Sequence, residues 1–154
     1  MTVEAIVLGT AQDGGLPQAG CGCANCRAAH QDPVQRRWVA CLALVDHTAR
    51  ESWLVDATPD FREQLHALQQ LAPECPLAGI ALTHAHIGHY AGLIHLGREA
   101  WGTQGLPVYA SPQMAAFLRG NAPWSQLVAL DNIRLHPLAS GQALSLQRTL
   151  PHGT

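Results

Sequence analysis

With 154 residues, the chain has the length of one domain, and its apolar fraction of 47% is high enough to build a sizeable core. Charged residues make up only 13% of the chain, about half of the usual share, which excludes a disordered chain and a coiled coil. The net charge is −2 and the nine basic residues, all arginines, are scattered, so we expect no nucleic-acid partner.

The first third of the chain predicts three strands. Residues 2–8 are mostly apolar and form the first strand, after which glycines and a proline punctuate a loop over residues 9–23. Two further apolar runs, 38–45 and 51–56, are joined by a short polar segment and indicate a β-hairpin. Because long ordered loops are often functional, the 9–23 loop is of interest.

A helix is predicted after the hairpin. Thr58 is a suitable N-cap and Pro59 a suitable first helical residue, and apolar side chains recur at helical spacing until Pro73. A short apolar strand, 79–83, comes next and ends at a cluster of histidines. Loops that directly follow buried strands often hold the residues that do chemistry.

The remainder continues this alternation. It predicts a strand at 106–110, a helix that begins at Ser111 and ends at Gly120, and two final strands at 132–138 and 142–150. Alternating strands and helices place the chain, residues 1–154, in the α/β or α+β class as a single domain. We expect a cytoplasmic protein with no membrane association, because neither a signal peptide nor a run of about 18 apolar residues is present.

Three histidines, His84, His86 and His89, form the pattern H-x-H-x-x-H. Neutral imidazole is a good ligand for zinc and iron, and residues two apart on an extended segment can both turn toward one ion. A third histidine from elsewhere would leave a position open for water, whose pKa such an ion lowers to about 7. The pattern therefore predicts a metal centre. Five histidines without such a context are expected to be surface or core residues: His30, His47, His66, His95 and His136.

The cysteines predict a second metal site. Their number, five, is odd, and Cys21, Cys23 and Cys26 lie within six positions, which indicates metal binding rather than disulfides. Three thiolates on a tight loop can wrap a tetrahedral zinc ion, and a closed site needs a fourth ligand. A redox function of the Cys23–Cys26 pair is the alternative, although the βαβ context of thioredoxin-like proteins is missing.

Residues 83–93, Thr-His-Ala-His-Ile-Gly-His-Tyr-Ala-Gly-Leu, resemble the metallo-β-lactamase superfamily signature T-H-x-H-x-D-H-x-x-G. The resemblance implies that His84 and His86 ligate a first ion, which would be zinc, iron or manganese, and that His89 ligates a second. The signature's aspartate, a ligand of the second ion, is replaced here by Gly88, which offers no ligand.

Three other segments, 8–18, 21–26 and 56–64, are similar to one branch of that superfamily. The branch contains the pyrroloquinoline quinone biosynthesis B proteins and a phosphodiesterase of phosphonate breakdown. It implies that Asp56 belongs to the shell that supports the metal-binding loop, with a turn or N-cap carboxylate as the alternative. It also implies that Tyr90 and the Gly14–Gly15 loop line the cleft.

Two further ligands follow from the resemblance. In relatives the third ligand of the first ion is a histidine at the end of a later strand, which His152 resembles; an exposed terminal histidine is the alternative. The fourth ligand of the cysteine cluster is a histidine from the second half of the relatives. His30, at C-x₃-H spacing from Cys26, is the only nearby substitute.

The family fold is a four-layer α/β/β/α sandwich, and the relatives are about twice as long, so this chain supplies roughly the N-terminal half. One sheet face should then be apolar and uncovered. Three explanations stay open: a fragment of a longer protein, a homodimer that covers the exposed sheet, and a degenerate relative.

Three functions stay open, two of them implied by the resemblance and the third by the departures from it, Gly88 and the missing half. The first is a metal-dependent hydrolase that acts on a phosphodiester or another ester-like bond of a small-molecule substrate, with the ion on His84, His86 and His152. The second is a metal-dependent oxidation in quinone-cofactor biosynthesis. The third is a non-catalytic binding module that structural zinc on the cysteine cluster stabilises.

Overall fold

The computed structural model describes residues 3–141, 143 and 144. Its six strands are β1 Val3–Gly9, β2 Cys41–Asp46, β3 Glu51–Val55, β4 Leu77–Ala81, β5 Leu106–Ala110 and β6 Ile133–Pro137. Its α-helices are α1 Ala24–Gln31, α2 Phe61–Leu71, α3 Pro112–Gly120 and α4 Trp124–Ala129, and three 3₁₀ segments lie at Pro33–Gln35, Ile87–His89 and Ala91–Leu96. The mixed α/β class is thereby confirmed.

The six strands form one sheet in the order of the chain. Strands β1, β2 and β3 pair antiparallel, whereas β3, β4, β5 and β6 pair parallel. Consequently β1 runs in the same direction as β3 to β6, and the carboxyl ends of five strands meet at one edge of the sheet. The loops that follow these strands can therefore share a site.

The main core lies between one face of the sheet and helices α2, α3 and α4. Alternating strand residues point into it, such as Cys41, Ala43 and Val45 of β2, and the helices contribute Phe61 and Leu118. Strand β2 shows this alternation, since each second side chain is buried and the intervening ones are half-buried.

The opposite face of the sheet has a smaller apolar cluster of Trp53, Ala78 and Tyr109. Toward the β1 edge the same face is open to solvent, because Val3 and Val7 are 59% and 65% exposed. The described residues thus form one sheet with its main helical layer on one side.

Most predicted elements lie where they were expected. The start of α2 is an exception: Thr58 was predicted as the N-cap, but the helix begins at Phe61. The Thr58 hydroxyl instead accepts a hydrogen bond from the Asp60 N–H, so residues 58–60 form a turn before the helix. The predicted strand 142–150 lies outside the described residues except for Ala143 and Leu144, which form no regular structure. In the described part of the chain, no helix has the length and apolarity to cross a bilayer.

Candidate metal centre

The loop after β4 brings three imidazole rings together. Nε2 of His84 lies 3.0 Å from Nδ1 of His86, and the ring centroids of His84 and His89 are 4.2 Å apart. Two atoms that ligate one tetrahedral zinc ion at about 2.0–2.1 Å are separated by about 3.3 Å. The His84 and His86 nitrogens are therefore close to the spacing that a shared ion requires.

Asp56, which directly follows β3, holds this loop in place. Its carboxylate is 5% exposed and accepts hydrogen bonds from the Thr83 N–H at 2.8 Å and from the Thr83 hydroxyl at 2.8 and 2.9 Å. It also lies 2.7 Å from Nδ1 of His89. Of the two predicted roles, the contacts of Asp56 support the shell around the metal-binding loop rather than a cap of α2.

The Asp56 contacts assign the protonation of two rings. Because the carboxylate only accepts, Nδ1 of His89 carries the proton and its Nε2 keeps a lone pair. The Thr83 hydroxyl donates to Asp56, so it accepts from Nδ1 of His84 at 2.9 Å, and Nε2 of His84 also keeps a lone pair. One buried carboxylate thus presents two Nε2 atoms in the neutral tautomer that binds metal.

Asp13, which sequence reasoning did not assign, lies in the same centre. Its Oδ1 is 3.3 Å from Nε2 of His89, and its Oδ2 is 3.7 Å from Nδ1 of His86. Only its position in a glycine-rich turn at a strand end could have drawn attention to it. No periodicity or spacing links it to histidines more than seventy residues away.

The loop of Asp13 is anchored on both sides. The N–H groups of Thr10 and Ala11 both donate to the Trp38 carbonyl, and Leu16 and Arg37 exchange two backbone hydrogen bonds at 2.9 Å.

The segment containing Trp38 and Arg37 is in turn fixed to α2. There the Val39 N–H donates to Asp60 at 2.8 Å, and the Gln64 amide donates to the Val39 carbonyl at 2.7 Å. The position of Asp13 is therefore determined by the fold.

The thiols form a separate group. Sγ atoms of Cys21, Cys23 and Cys26 lie within 4.8 Å of one another, as a shared ion requires, and His30, exposed on α1, is not part of this group among the described residues. The backbone N–H of Cys26, with the other two thiols, lowers the pKa of Cys23 to about 7. For Cys26, the Gln18 N–H lowers the pKa, but burial and the neighbouring thiols outweigh it and raise the pKa.

Two other predicted positions differ from expectation. Tyr90, predicted to line the cleft, is 7% exposed and packs edge-on against Phe117 and Trp124, with ring centroids 5.7 and 4.9 Å away. That prediction was wrong, because the residue after His89 turns back into the core. His152, the predicted third ligand, lies outside the described residues.

A small cleft adjoins the histidines. It has a volume of about 200 Å³ and is lined by His84, Thr83 and apolar side chains of α3 such as Met114 and Phe117. A larger cavity of about 790 Å³, between β1 and the start of α2, is lined by Arg36 and Arg37 but by none of the three histidines. The cleft beside His84 could therefore present a small molecule to the candidate metal centre.

The donor types suit a divalent ion of the first transition row, although among the described residues only the three thiols form a group of three ligand atoms within 4.8 Å of one another. Imidazole nitrogen suits zinc, iron and manganese alike, and a carboxylate at the edge of the set suits the same ions. Two of the nitrogens are held in the unprotonated form by a buried carboxylate, which is the arrangement that metal-binding histidines need. His86, with a side chain 72% exposed, leaves the centre accessible from solvent.

Comparisons with known proteins identify the family of the chain. A family model described as β-lactamase superfamily domain matches residues 52–152. The coenzyme PQQ synthesis protein B of Rhodopseudomonas palustris (strain TIE-1) is 36% identical over 161 aligned residues, which cover 99% of this chain and 49% of that protein.

Two solved structures are similar. The Zn²⁺-bound PqqB from Methylobacterium extorquens has a TM-score of 0.76 and 26% identity, covering 95% of this chain and 52% of that one. A diphosphatase from the PhnP family has a TM-score of 0.67 and 27% identity, covering 94% and 54%. The chain thus spans about half the length of the relatives it matches.

Proposed function

Since the chain belongs to the β-lactamase superfamily and is similar to PqqB and PhnP-family proteins, we propose that it is a metal-dependent hydrolase. Its substrate would be a small molecule with a phosphodiester or another ester-like bond. The observation that supports this most directly is the network of Asp56, which contacts Nδ1 of His89 directly and Nδ1 of His84 through the Thr83 hydroxyl, so that Nε2 of each ring is left to bind metal.

In this proposal His84, His86 and His152 would hold the first ion, which would be zinc, iron or manganese. When bound, such an ion would lower the pKa of water and would polarise the scissile bond. Asp56 holds the His84 and His89 rings in orientation, and Thr83 passes this constraint from Asp56 to His84. The apolar cleft along α3 receives the non-reacting part of the substrate.

The preference for a phosphorus ester is supported by the diphosphatase of the PhnP family, with which this chain shares 27% identity. The cysteine cluster has a different role in the proposal: Cys21, Cys23 and Cys26 hold a structural zinc ion that fixes the start of α1. Its fourth ligand stays open, because His30 lies outside the group of three thiols.

Elemental analysis and a phosphodiesterase assay test the proposal together. We expect purified protein to contain metal beyond one zinc ion per chain and to hydrolyse a model phosphodiester such as bis(4-nitrophenyl) phosphate. His84→Ala should lose activity and metal, whereas the matched control His66→Ala, an exposed histidine of α2, should retain both. Equal activity in the two variants would refute the proposal.

The second candidate is a PqqB-like metal-dependent oxidation in quinone-cofactor biosynthesis. The 36% identity to the PQQ synthesis protein over 99% of this chain favours it. Three histidines that face an open position also suit iron. Deleting the gene in its host and measuring the cofactor distinguishes this candidate, because unchanged cofactor production would exclude it.

The third candidate, a non-catalytic zinc-stabilised module, has its own signature in the same elemental analysis. It predicts one zinc ion per chain with sulfur ligands, and no ion on the histidines at saturating metal. That result, with an inactive protein, would replace the hydrolase proposal.

A further inference from the structure

The space beside Gly88 is already filled by Asp13. Gly88 is buried, and a Cβ atom added to it would lie 2.6 Å from Cβ, 2.7 Å from Cα and 2.9 Å from Cγ of Asp13. Separations under 3.0 Å are not tolerated between a Cβ and backbone or near-backbone atoms. Any side chain at position 88 is therefore incompatible with the observed place of Asp13. The glycine is required because a carboxylate from another loop enters here.

The Asp13 carboxylate points at the histidines that it adjoins. Oδ1 lies 3.3 Å from Nε2 of His89, and Oδ2 lies 3.7 Å from Nδ1 of His86. The side chain of His89 is 12% exposed and that of Asp13 is 43% exposed, so the space between them is partly shielded but open to an entering ion.

The contact between Asp13 and His89 needs a positive charge. Nδ1 of His89 donates to Asp56, so Nε2 of the neutral ring carries a lone pair. A lone pair that faces a carboxylate oxygen at 3.3 Å is repulsive unless a cation lies between the two atoms. Two ligands of one tetrahedral zinc ion are separated by about 3.4 Å, which agrees with the observed distance. A divalent metal ion between the two atoms would remove this repulsion.

We propose that Asp13 and His89 together bind a divalent metal ion adjacent to the one on His84 and His86. The carboxylate ligand of this second ion comes from the loop after β1 instead of from position 88. The inference rests on the proposed metal-dependent function, and it goes further by assigning a ligand and a second ion.

Cobalt(II) titration of the full chain tests this inference by counting ions. Sulfur-bound cobalt has an intense charge-transfer band, so the thiol site is counted separately from sites with nitrogen and oxygen ligands. We expect Asp13→Asn, which preserves size but removes the charge, to bind one ion fewer per chain, or to bind its last ion at least about tenfold more weakly. The thiolate band should not change.

Glu63→Gln is the matched control, since Glu63 is an exposed carboxylate at 57% that contacts none of the histidines. It should bind cobalt as the unaltered chain does. If Asp13→Asn also binds cobalt with unchanged stoichiometry and affinity, the inference is overturned. If His84→Ala still loses an ion in that case, the proposed function stands although Asp13 is not a ligand.

A reciprocal exchange provides the second test. Gly88→Asp alone should disturb both loops, because its side chain and Asp13 compete for one space. The double variant Asp13→Gly, Gly88→Asp returns one carboxylate to that space and should recover the ion that Asp13→Asn loses. A double variant with an unchanged circular dichroism spectrum and no recovered ion would contradict the claim that the two positions supply the same ligand.

Discussion

The buried carboxylate of Asp56 shows how one residue can determine the state of several others. It has a positive φ of 73°, an unfavourable conformation for a non-glycine residue, directly after strand β3. Such strain is retained where the surrounding contacts over-determine it. Here the contacts to Thr83 and His89 do so, and they fix the protonated nitrogen in both His84 and His89.

Asp56→Asn should therefore weaken metal binding without removing a ligand. The new amide NH₂ is a donor that faces the donors of Thr83 or His89, so at least one ring loses its orientation. We expect metal affinity at the histidine centre to fall about 10–100-fold, the usual effect of losing such a supporting carboxylate. Competition with a chelator measures this affinity. Asp131→Asn, which affects an exposed ion pair with Arg134, is the control, and equal affinities in the two variants would contradict the role given to Asp56.

The residues of the centre differ in how far the sequence could predict them. His84, His86 and His89 are recognised because a local pattern contains all three, and their proximity in the structure follows from that short spacing. Asp13 could not be found in this way, since its contact depends on how two loops meet at the edge of the sheet. The related sequence signal is Gly88, which stands where the family signature has an aspartate. That glycine indicated only that a ligand was missing.

At the scale of elements, the length of an element and its capping residues decided which predictions were accurate. Strand β5 and helix α3 have the predicted bounds, because Ser111 accepts a hydrogen bond from the Met114 N–H and Pro112 follows it at the first helical position. Helices α1 and α4, of eight and six residues, were not predicted. Such short helices have too few turns for an apolar stripe to recur, and tertiary contacts decide whether they form.

Gly79 of β4 gives a prediction at this scale. It pairs with Trp53 of β3, and a Cβ at Gly79 would lie 2.2 Å from the Trp53 ring and 2.9 Å from the Pro107 carbonyl oxygen. Gly79→Ala should therefore lower the free energy of unfolding by about 1–3 kcal/mol through overpacking. Gly120→Ala is the control, since no atom lies within 4 Å of a Cβ there and alanine favours the end of α3. Urea denaturation followed by circular dichroism compares the two, and equal midpoints would contradict this packing argument.

At the scale of the whole molecule, the sheet face opposite helices α2 to α4 is the face that stays partly exposed in the described residues. Leu44 and Ala81 pack partly against the Trp53 and Tyr109 cluster, but Val7 at the β1 edge stays 65% exposed. An exposed apolar face that continues a buried apolar cluster is a surface on which another protein segment can pack. In the relatives, the remaining half of the chain is long enough to provide such a cover.

For the chain of 154 residues as such, we expect two copies to cover this face mutually. Light scattering after gel filtration should then give twice the 16.5 kDa mass at about 50 µM protein, a concentration at which a standard-sized interface is populated. Val7→Lys places a charge on this face and should shift the protein to the monomer mass. Val34→Lys alters an equally apolar side chain, 81% exposed in the 3₁₀ segment Pro33–Gln35, and should leave the dimer intact. A monomer mass for the unaltered chain would show that the face needs no second copy, and dissociation by both variants would place the interface elsewhere.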